Sequence, residues 1–245
     1  MRLFSFGKKS KSEVNPLYVD IHSHLLPGID DGSASLEETI ELIKEFIGLG
    51  YRKLIITPHI MGDCFKNTPE IIMEKLELVR NEVKNQGLLI ELEAAAEYYL
   101  DEVFIQKLER GESLLTFGDS YLLFETSFMN EPASLKEVIF QIASSGYKPV
   151  LAHPERYVYM YNSFEKYEDL FNRGLYFQLN ISSLSGYYSK ESKRIAERLI
   201  KNNMVHFVGS DCHGTRHLEA IKKVRNEKIY TQLLELNIYN NNLLA

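Results

Sequence analysis

Two patterns of apolar and polar positions alternate along the chain from residue 17 onward. Short apolar or β-branched runs predict seven strands, over 17–21, 53–57, 88–95, 121–125, 149–152, 176–180 and 205–209. The segments between these runs carry apolar residues at helical spacing, such as Leu36, Ile40, Ile43 and Ile47. Strands that alternate with amphipathic helices are typical of repeated βα units built around a parallel sheet.

Helix start signals support several of the predicted helices. Ser35 with Glu38, and again Ser134 with Glu137, form a capping box ahead of an apolar run. Thr68 is a suitable N-cap residue, and the proline that follows it is favoured in the first helical turn. Another helix is predicted from residue 101, and later helices over 164–173, 190–202 and 217–227.

The length and the order of these elements bound the domain organisation. A chain of 245 residues fits one domain, so we predict an N-terminal tail over 1–16 and a single domain over 17–245. The tail has no apolar run of signal-peptide length, and we expect a solvated segment. The βα repeat fits either a closed barrel or an open doubly wound sheet, and the pattern alone does not choose between them.

Composition and charge narrow the classes of function. Hydrophobic residues at 44% and charged residues at 25% are those of an ordinary globular protein. A net charge of -6 and a pI near 5.7 give no basic surface for a nucleic-acid backbone, so no nucleic-acid partner is expected. No apolar run is long enough to span a membrane. Cys64 and Cys212 cannot form a disulfide framework, which fits a cytoplasmic location, while the oligomeric state stays open.

Histidines and acidic residues gather where the predicted strands end. The side chains in these positions are His22, His24, Glu97, Glu125, His59, His153, Asp211 and His213. In a βα barrel the carboxyl ends of all strands meet on one face, whereas an open sheet would spread these side chains out. The pattern therefore favours a closed barrel with these side chains at its mouth.

This mixture of side chains indicates a centre for several divalent ions. His22 and His24 are two residues apart, so both imidazoles would point to one side of an extended strand. Neutral imidazoles mixed with carboxylates suit zinc, manganese or iron better than calcium, and a carboxylate can bridge two ions. Eight candidate ligands are too many for one ion, so two or three ions are implied. The alternative is that each histidine is a hydrogen-bonded loop residue, which is how we interpret His206 and His217.

Two arginines lie close to the candidate ligands in the sequence, Arg156 shortly after His153 and Arg216 shortly after His213. A guanidinium beside a cationic centre is unfavourable unless an anion lies between them, and arginine binds phosphate oxygens with paired donors. This favours a phosphate ester as substrate. The alternative is that each arginine pairs with a surface carboxylate.

Six short motifs contain the candidate ligands in order along the chain. They lie over 20–32 (DIHSHLLPGIDDG), 57–59 (TPH), 96–97 (AE), 124–125 (FE), 152–156 (AHPER) and 210–213 (SDCH). Together they resemble the polymerase-and-histidinol-phosphatase (PHP) superfamily. The Asp-Asp-Gly end of the first motif and the His-Pro-Glu-Arg run resemble the bacterial tyrosine-protein phosphatases that accompany capsule and exopolysaccharide export. The resemblance extends from about residue 17 to the C-terminus.

The resemblance implies a fold and a metal site. The fold would be a distorted seven-stranded (β/α) TIM-like barrel, and the site would hold two or three divalent ions, with manganese preferred over iron or zinc. Asp31 joins the candidates only through the resemblance. The implied ligand groups are His22, His24, Glu97 and Asp211 for one ion, Glu97, Glu125 and His153 for a second, and Asp31, His59 and His213 for a third.

The sequence therefore predicts a metal-dependent protein-tyrosine phosphatase in which a metal-bound hydroxide attacks phosphorus. Arg156, Arg216 and Asp211 would be the catalytic residues, with the arginines on the nonbridging phosphate oxygens. The expected substrate is the phosphorylated C-terminal tail of a tyrosine kinase of capsule synthesis. Three alternatives are a histidinol-phosphate or other small-molecule phosphatase, a noncatalytic phosphotyrosine-binding module and, disfavoured by the acidic charge balance, a proofreading nuclease.

A cysteine-dependent phosphatase mechanism is excluded by the sequence. Such enzymes need an arginine six positions after the nucleophile, and Glu70 and Leu218 occupy those positions for Cys64 and Cys212.

Overall fold

The computed structural model describes residues 16–244 and contains short parallel strands in two sheets. The strands are β1 (Val19–Asp20), β2 (Lys53–Ile56), β3 (His59–Ile60), β4 (Glu91–Ala94), β5 (Glu97–Tyr99), β6 (Tyr121–Glu125), β7 (Lys148–Ala152), β8 (Tyr176–Asn180) and β9 (Phe207–Gly209). One sheet has the order β1-β2-β4 and the other has the order β3-β5-β6-β7-β8-β9. All neighbouring strands within these sheets are parallel. The protein thus has an α/β fold with a curled parallel sheet.

Two short strands, β3 and β5, were not predicted from the sequence. They follow the second and third predicted strands, and the pairs Thr57–Pro58 and Ala95–Ala96 separate them from β2 and β4. Proline has no N–H group to donate to a neighbouring strand, which is a physical reason why β2 ends before Pro58. Since β2 and β4 pair in one sheet and β3 and β5 in the other, the described residues contain nine strands where seven were predicted.

The helices lie between the strands in chain order. They are α1 (Leu36–Gly48), α2 (Pro69–Asn85), α3 (Glu102–Glu109), α4 (Leu135–Ser144), α5 (Phe164–Asn172), α6 (Lys190–Lys201), α7 (Thr215–Val224) and α8 (Lys228–Leu234). Helix α2 begins after Thr68 as predicted, and its residues Ile72, Leu76, Val79 and Val83, at helical spacing, are all buried. Within residues 16–244, none of the helices combines the length and the apolar character needed to cross a membrane.

The helix ends confirm Ser35 as an N-cap, with Glu38 bonded to the residue before it, and contradict the capping box predicted at Ser134. The Ser35 side chain accepts a hydrogen bond from the Glu38 N–H at 3.3 Å, and the Glu38 carboxylate accepts one from the Ala34 N–H at 2.9 Å. Ser134 has helical backbone angles and makes no side-chain cap, so the second prediction is wrong. Since Ser134 already has a helical conformation, it lacks the extended conformation that N-cap residues adopt. Helix α7 begins at Thr215, two positions before the prediction, and α8 was not predicted.

Residues on each strand alternate between two hydrophobic clusters. On β6, Leu122 and Phe124 belong to the large cluster that packs with the helices, whereas Leu123 belongs to a smaller cluster with Val150 of β7. This alternation is the two-residue period of a strand that is buried on both faces. Because residues two positions apart share a face of the strand, the Glu125 side chain lies on the same face as Leu123, the face of the smaller cluster.

The two ends of the described chain meet. The Asn241 side chain donates to the Pro16 carbonyl at 2.8 Å and accepts from the Tyr18 N–H at 2.9 Å. At the other end of these strands, the Asp211 N–H donates to the His22 carbonyl at 2.8 Å, and the His24 N–H donates to the Cys212 carbonyl at 2.9 Å. The segment after β9 therefore contacts the segment after β1. The predicted tail over 1–16 lies, apart from Pro16, outside the described residues.

A glycine in β9 gives a test of this packing. A Cβ atom on Gly209 would lie 2.6 Å from both the Gln178 Nε2 and the His22 Cβ, which is too close. We expect Gly209→Ala to lower the free energy of unfolding by about 1–3 kcal/mol, as overpacking does. A lower urea midpoint at unchanged slope would show this.

Gly48→Ala is the matched control, because Gly48 is in α1 and a Cβ there would meet nothing within 4 Å. This variant should be more stable than the native chain by up to about 1 kcal/mol, since alanine favours helix. Equal urea midpoints for Gly209→Ala and the native chain would contradict the packing described for β9.

Candidate metal centre

The structure brings all nine candidate ligands together in one cluster. Their ligand atoms form four overlapping groups, and within each group all atoms lie within 4.8 Å of one another. The groups are His24, Asp31, His59 and His213; His22, His24 and Asp211; His22, Glu97 and His153; and His59, Glu97 and Glu125. Residues separated by up to about 190 positions in the sequence therefore share one cluster.

The strand ends aim these side chains in two ways. Glu97 is the first residue of β5 and Glu125 is the last of β6, so regular strand geometry places both carboxylates. His153 and Asp211 follow β7 and β9 with φ angles of 33° and 49°, a left-handed conformation that is uncommon outside glycine. Such residues cost about 1–3 kcal/mol each and concentrate at functional sites.

Hydrogen bonds to the outer ring nitrogens orient two of the histidines. The Gln178 Oε1 lies 2.7 Å from the His22 Nδ1, and the Asp30 Oδ2 lies 2.8 Å from the His24 Nδ1. Both partners are acceptors, so in the neutral rings Nδ1 carries the proton and Nε2 carries a lone pair. The two Nε2 atoms are only 3.3 Å apart. Two facing lone pairs repel each other, and a cation between them removes that repulsion.

Several polar atoms in the cluster have close neighbours without a hydrogen bond. The His59 Nδ1 is 3.1 Å from the Glu97 Oε2, yet neither buried atom has a hydrogen-bond partner among the described residues. The same Glu97 oxygen lies 3.2 Å from the His22 Nε2. Unpaired buried polar atoms cost about 1–3 kcal/mol each. Atoms that point to a common centre rather than at one another fit a set of metal ligands, so these residues fit divalent cations.

The electrostatics of the acidic side chains indicate the same need for positive charge. Burial, together with the nearby Glu97 carboxylate, raises the pKa of Glu125 well above its usual range. Burial alone would also raise the pKa of Asp211, but His22, His24 and Arg156 bring it well below its usual range. The cluster thus favours bound cations, which would keep both carboxylates of the Glu97–Glu125 pair ionised.

A second layer of side chains holds Asp211. Its Oδ2 atom accepts from the Arg156 Nη1 at 2.8 Å, the Asn180 Nδ2 at 2.7 Å and the Tyr188 hydroxyl at 3.0 Å. Its Oδ1 atom instead faces the imidazoles, 3.4 Å from the His24 Nε2. Burial and the Asp211 charge raise the pKa of Tyr188 well above its usual range, so the phenol stays protonated as a donor.

Six members of the cluster form the floor of a cavity of about 490 Å³, namely Asp31, His59, Glu125, His153, Asp211 and His213. Its walls include Met61, Phe65, Tyr99, Phe128 and Met129, and Arg156 also lines it. A polar floor between aromatic and thioether side chains is the usual composition of a small-molecule or side-chain pocket. The cavity can accept an apolar group whose polar end reaches the cluster.

The structure places the two candidate arginines differently. Arg156 lines the cavity, whereas Arg216 is exposed in the first turn of α7 and lines a neighbouring depression with His213 and His217. Within residues 16–244, the Arg216 side chain makes no ion pair or hydrogen bond. The structure therefore does not bring Arg216 to the floor of the cavity with Arg156.

Sequence reasoning missed the residues that orient the ligands. Gln178 and Asn180 are buried polar residues at alternate positions of β8, and such residues in an otherwise apolar strand are a usable signal. Asp30 lies within a motif that carried the resemblance, although no role was given to it. Tyr188 lies in a loop, and no local pattern in the sequence points to it.

The sequence matches known proteins over most of its length. The family model described as "Capsular polysaccharide synthesis, CpsB/CapC" matches residues 18–237. The tyrosine-protein phosphatase YwqE of Bacillus subtilis is 28% identical over 198 residues, which are 81% of this chain and 78% of YwqE. The tyrosine-protein phosphatase CpsB of Streptococcus pneumoniae is 32% identical over 202 residues, which are 80% of this chain and 83% of CpsB.

Solved structures agree with this assignment. The crystal structures of YwqE and CpsB are described as those of unique metal-dependent tyrosine phosphatases. One chain from them superposes on this protein with a TM-score of 0.77 at 26% identity, and the match covers 90% of this chain and 96% of that one. Histidinol phosphate phosphatase from Lactococcus lactis superposes with a TM-score of 0.52 at 13% identity, covering 85% and 94%, and shares the fold alone. The resemblance stated from the motifs is confirmed, and this chain belongs to the CpsB/CapC family of capsular polysaccharide synthesis.

Proposed function

We propose that this protein is a metal-dependent protein-tyrosine phosphatase. The observation that carries the proposal is the cluster of nine imidazole and carboxylate side chains, six of which line a cavity with aromatic and thioether walls. The names of the relatives, which are tyrosine-protein phosphatases, support the same reaction. The substrate would be a phosphotyrosine protein, and we propose the C-terminal tail of a tyrosine kinase of capsule or exopolysaccharide synthesis, which agrees with the family's description as one of capsular polysaccharide synthesis.

The nine side chains would hold two or three divalent ions, with manganese, iron and zinc as the candidates that suit these donors. When bound, such ions supply charge to phosphate oxygens and lower the pKa of water toward neutrality. Glu97 belongs to two of the four groups of ligand atoms, which suits a carboxylate that bridges two ions. The contact between the segments after β1 and β9 supports a single distorted seven-stranded barrel around this centre.

The protein's own residues would bind and orient the phosphate. Arg156 directs Nη1 to Asp211 and has further N–H groups that can donate to nonbridging oxygens, where negative charge builds up as the ester bond breaks. Asp211 would act both as a ligand and as the anchor of Arg156. Arg216 is exposed beside His213 and would meet the substrate at the rim of the cavity.

The cavity walls favour a phenyl ester over a charged metabolite. The Phe65 ring stacks on His59 with centroids 5.5 Å apart and an angle of 12° between the planes. Phe128 and Met129 line the same cavity, on the loop after β6. Aromatic and thioether walls gain free energy by covering a phenyl ring, but they offer no carboxylate to the ammonium group of histidinol beyond those that hold the metals.

The first prediction compares substrates. With manganese added, we expect a higher kcat/KM for a phosphotyrosyl peptide than for histidinol phosphate, and complete loss of turnover after chelation. Phosphate release measured under both conditions tests this. Preferential turnover of histidinol phosphate would replace the proposal with its small-molecule alternative, and tight peptide binding without phosphate release would favour a noncatalytic module.

The second prediction concerns the bridging carboxylate. Glu97→Gln keeps the size of the side chain but removes its charge, so we expect less manganese per chain by elemental analysis. Turnover should fall by more than about 100-fold, because the ions supply several kcal/mol of transition-state stabilisation. The control is Glu91→Gln, which changes a 43% exposed carboxylate paired with Lys53. If Glu97→Gln matched Glu91→Gln in metal content, the proposed ligand role would be wrong.

The third prediction concerns the aromatic wall. We expect Phe65→Ala to raise KM for a phosphotyrosyl peptide by about 5- to 10-fold, the effect of losing roughly 1–1.5 kcal/mol of aromatic contact. Inhibition by inorganic phosphate, which has no ring, should not change. Phe140→Ala is the control, since Phe140 is 73% exposed on α4 and lies outside the cavity. An equal effect of Phe65→Ala on peptide and inorganic phosphate would count against a ring-binding wall.

A further inference from the structure

Tyr188 contacts two different parts of the candidate site. It lies in the loop between the 3₁₀ turn Ile181–Ser185 and helix α6, two residues after Gly186 in a left-handed conformation. Its hydroxyl is 3.0 Å from the Asp211 Oδ2, and its ring centroid is 4.1 Å from the central carbon of the Arg156 guanidinium. One side chain therefore contacts a candidate metal ligand and the candidate phosphate-binding residue.

The hydroxyl group fixes how Asp211 presents its two oxygens. A carboxylate can only accept, so the Tyr188 hydroxyl donates to Oδ2, where Arg156 and Asn180 donate as well. With three donors on Oδ2, rotation of the carboxylate would leave those donors unpaired. The Oδ1 atom is thereby kept toward His24 and His22, at 3.4 and 3.5 Å from their Nε2 atoms. Loss of a hydrogen bond of this kind, from a neighbouring side chain to a metal ligand, typically lowers metal affinity by 10- to 100-fold.

The ring of Tyr188 fixes the Arg156 guanidinium. The guanidinium carbon lies 4.1 Å from the Tyr188 centroid and 4.4 Å from the Phe128 centroid. Stacking on aromatic faces suits the planar guanidinium and leaves its edge N–H groups available to an oxyanion. The Arg156 side chain is only 21% exposed, so loss of a stacking partner would let a buried cation move.

We propose that Tyr188 is a positioning residue with two separable roles, in which its hydroxyl orients Asp211 toward the metal centre and its ring orients Arg156 toward phosphate. This inference rests on the proposed metal centre, but it does not depend on which phosphate ester is the substrate. The two roles belong to different atoms of the side chain, so two substitutions separate them.

The test uses Tyr188→Phe, which removes only the hydroxyl, and Tyr188→Leu, which removes the ring as well. Calorimetric titration of the metal-free protein with MnCl₂ should show about 10-fold weaker binding in both variants. Titration of the manganese-loaded protein with inorganic phosphate should be unchanged in Tyr188→Phe. In Tyr188→Leu it should be about 5-fold weaker, the equivalent of one lost cation–π contact.

The matched controls are Tyr147→Phe and Tyr147→Leu. Tyr147 is also half-buried, its hydroxyl accepts a single hydrogen bond from the Leu114 N–H at 3.3 Å, and it is neither a candidate ligand nor a residue that lines the cavity. Neither control should change manganese or phosphate binding, and thermal unfolding followed by circular dichroism would confirm that every variant folds.

Two results would overturn the assignment to Tyr188. One is manganese binding by Tyr188→Phe equal to that of the native chain, and the other is equal phosphate affinity in Tyr188→Phe and Tyr188→Leu. Native protein that binds no manganese would overturn the metal centre and this inference together. Native protein that binds both manganese and phosphate but does not hydrolyse phosphotyrosine would contradict the proposed function alone, because the two titrations need no turnover.

Discussion

The structure depends on burying imidazoles and carboxylates side by side without leaving their charges and lone pairs uncompensated. Glu97 is fully buried, and Glu125 beside it is 4% exposed. A buried carboxylate stays ionised only where positive charge or hydrogen-bond donors lie beside it. Neutral imidazoles supply no positive charge here, and those of His22 and His24 face each other with Nε2 atoms 3.3 Å apart. Divalent cations within the cluster would satisfy both sets of groups at once.

The side chains around the cluster orient the ligand atoms toward the place where cations would bind. Gln178 and Asp30 accept from the outer nitrogens of His22 and His24, which directs the inner nitrogens to the cluster. Three donors occupy one oxygen of Asp211 and leave the other for the centre. Through Asp211, these contacts also connect the cluster to Arg156, the proposed phosphate-binding residue. In the proposed function, the aromatic wall would cover the ring of a substrate, so that the site would combine charge stabilisation with selection of an aryl ester.

Sequence reasoning located the strand ends well, because alternation of apolar runs and amphipathic helices is local and the convergence of parallel strands follows from topology. It was less successful for features that no short stretch of sequence determines. The separate strands β3 and β5, the helical conformation of Ser134 and the exposure of Arg216 are not predicted by any local pattern in the sequence. Gln178 contacts His22 across 156 positions, and no local pattern contains that pairing.

The most direct measurement of the central claim is anomalous diffraction from crystals grown with manganese, collected on both sides of the manganese absorption edge. We predict two or three peaks within the cluster, each at about 2.0–2.2 Å from imidazole nitrogens or carboxylate oxygens, with Glu97 contacting two of them. Crystals that contain manganese only on the surface, or none at all while the cluster keeps its geometry, would contradict the account.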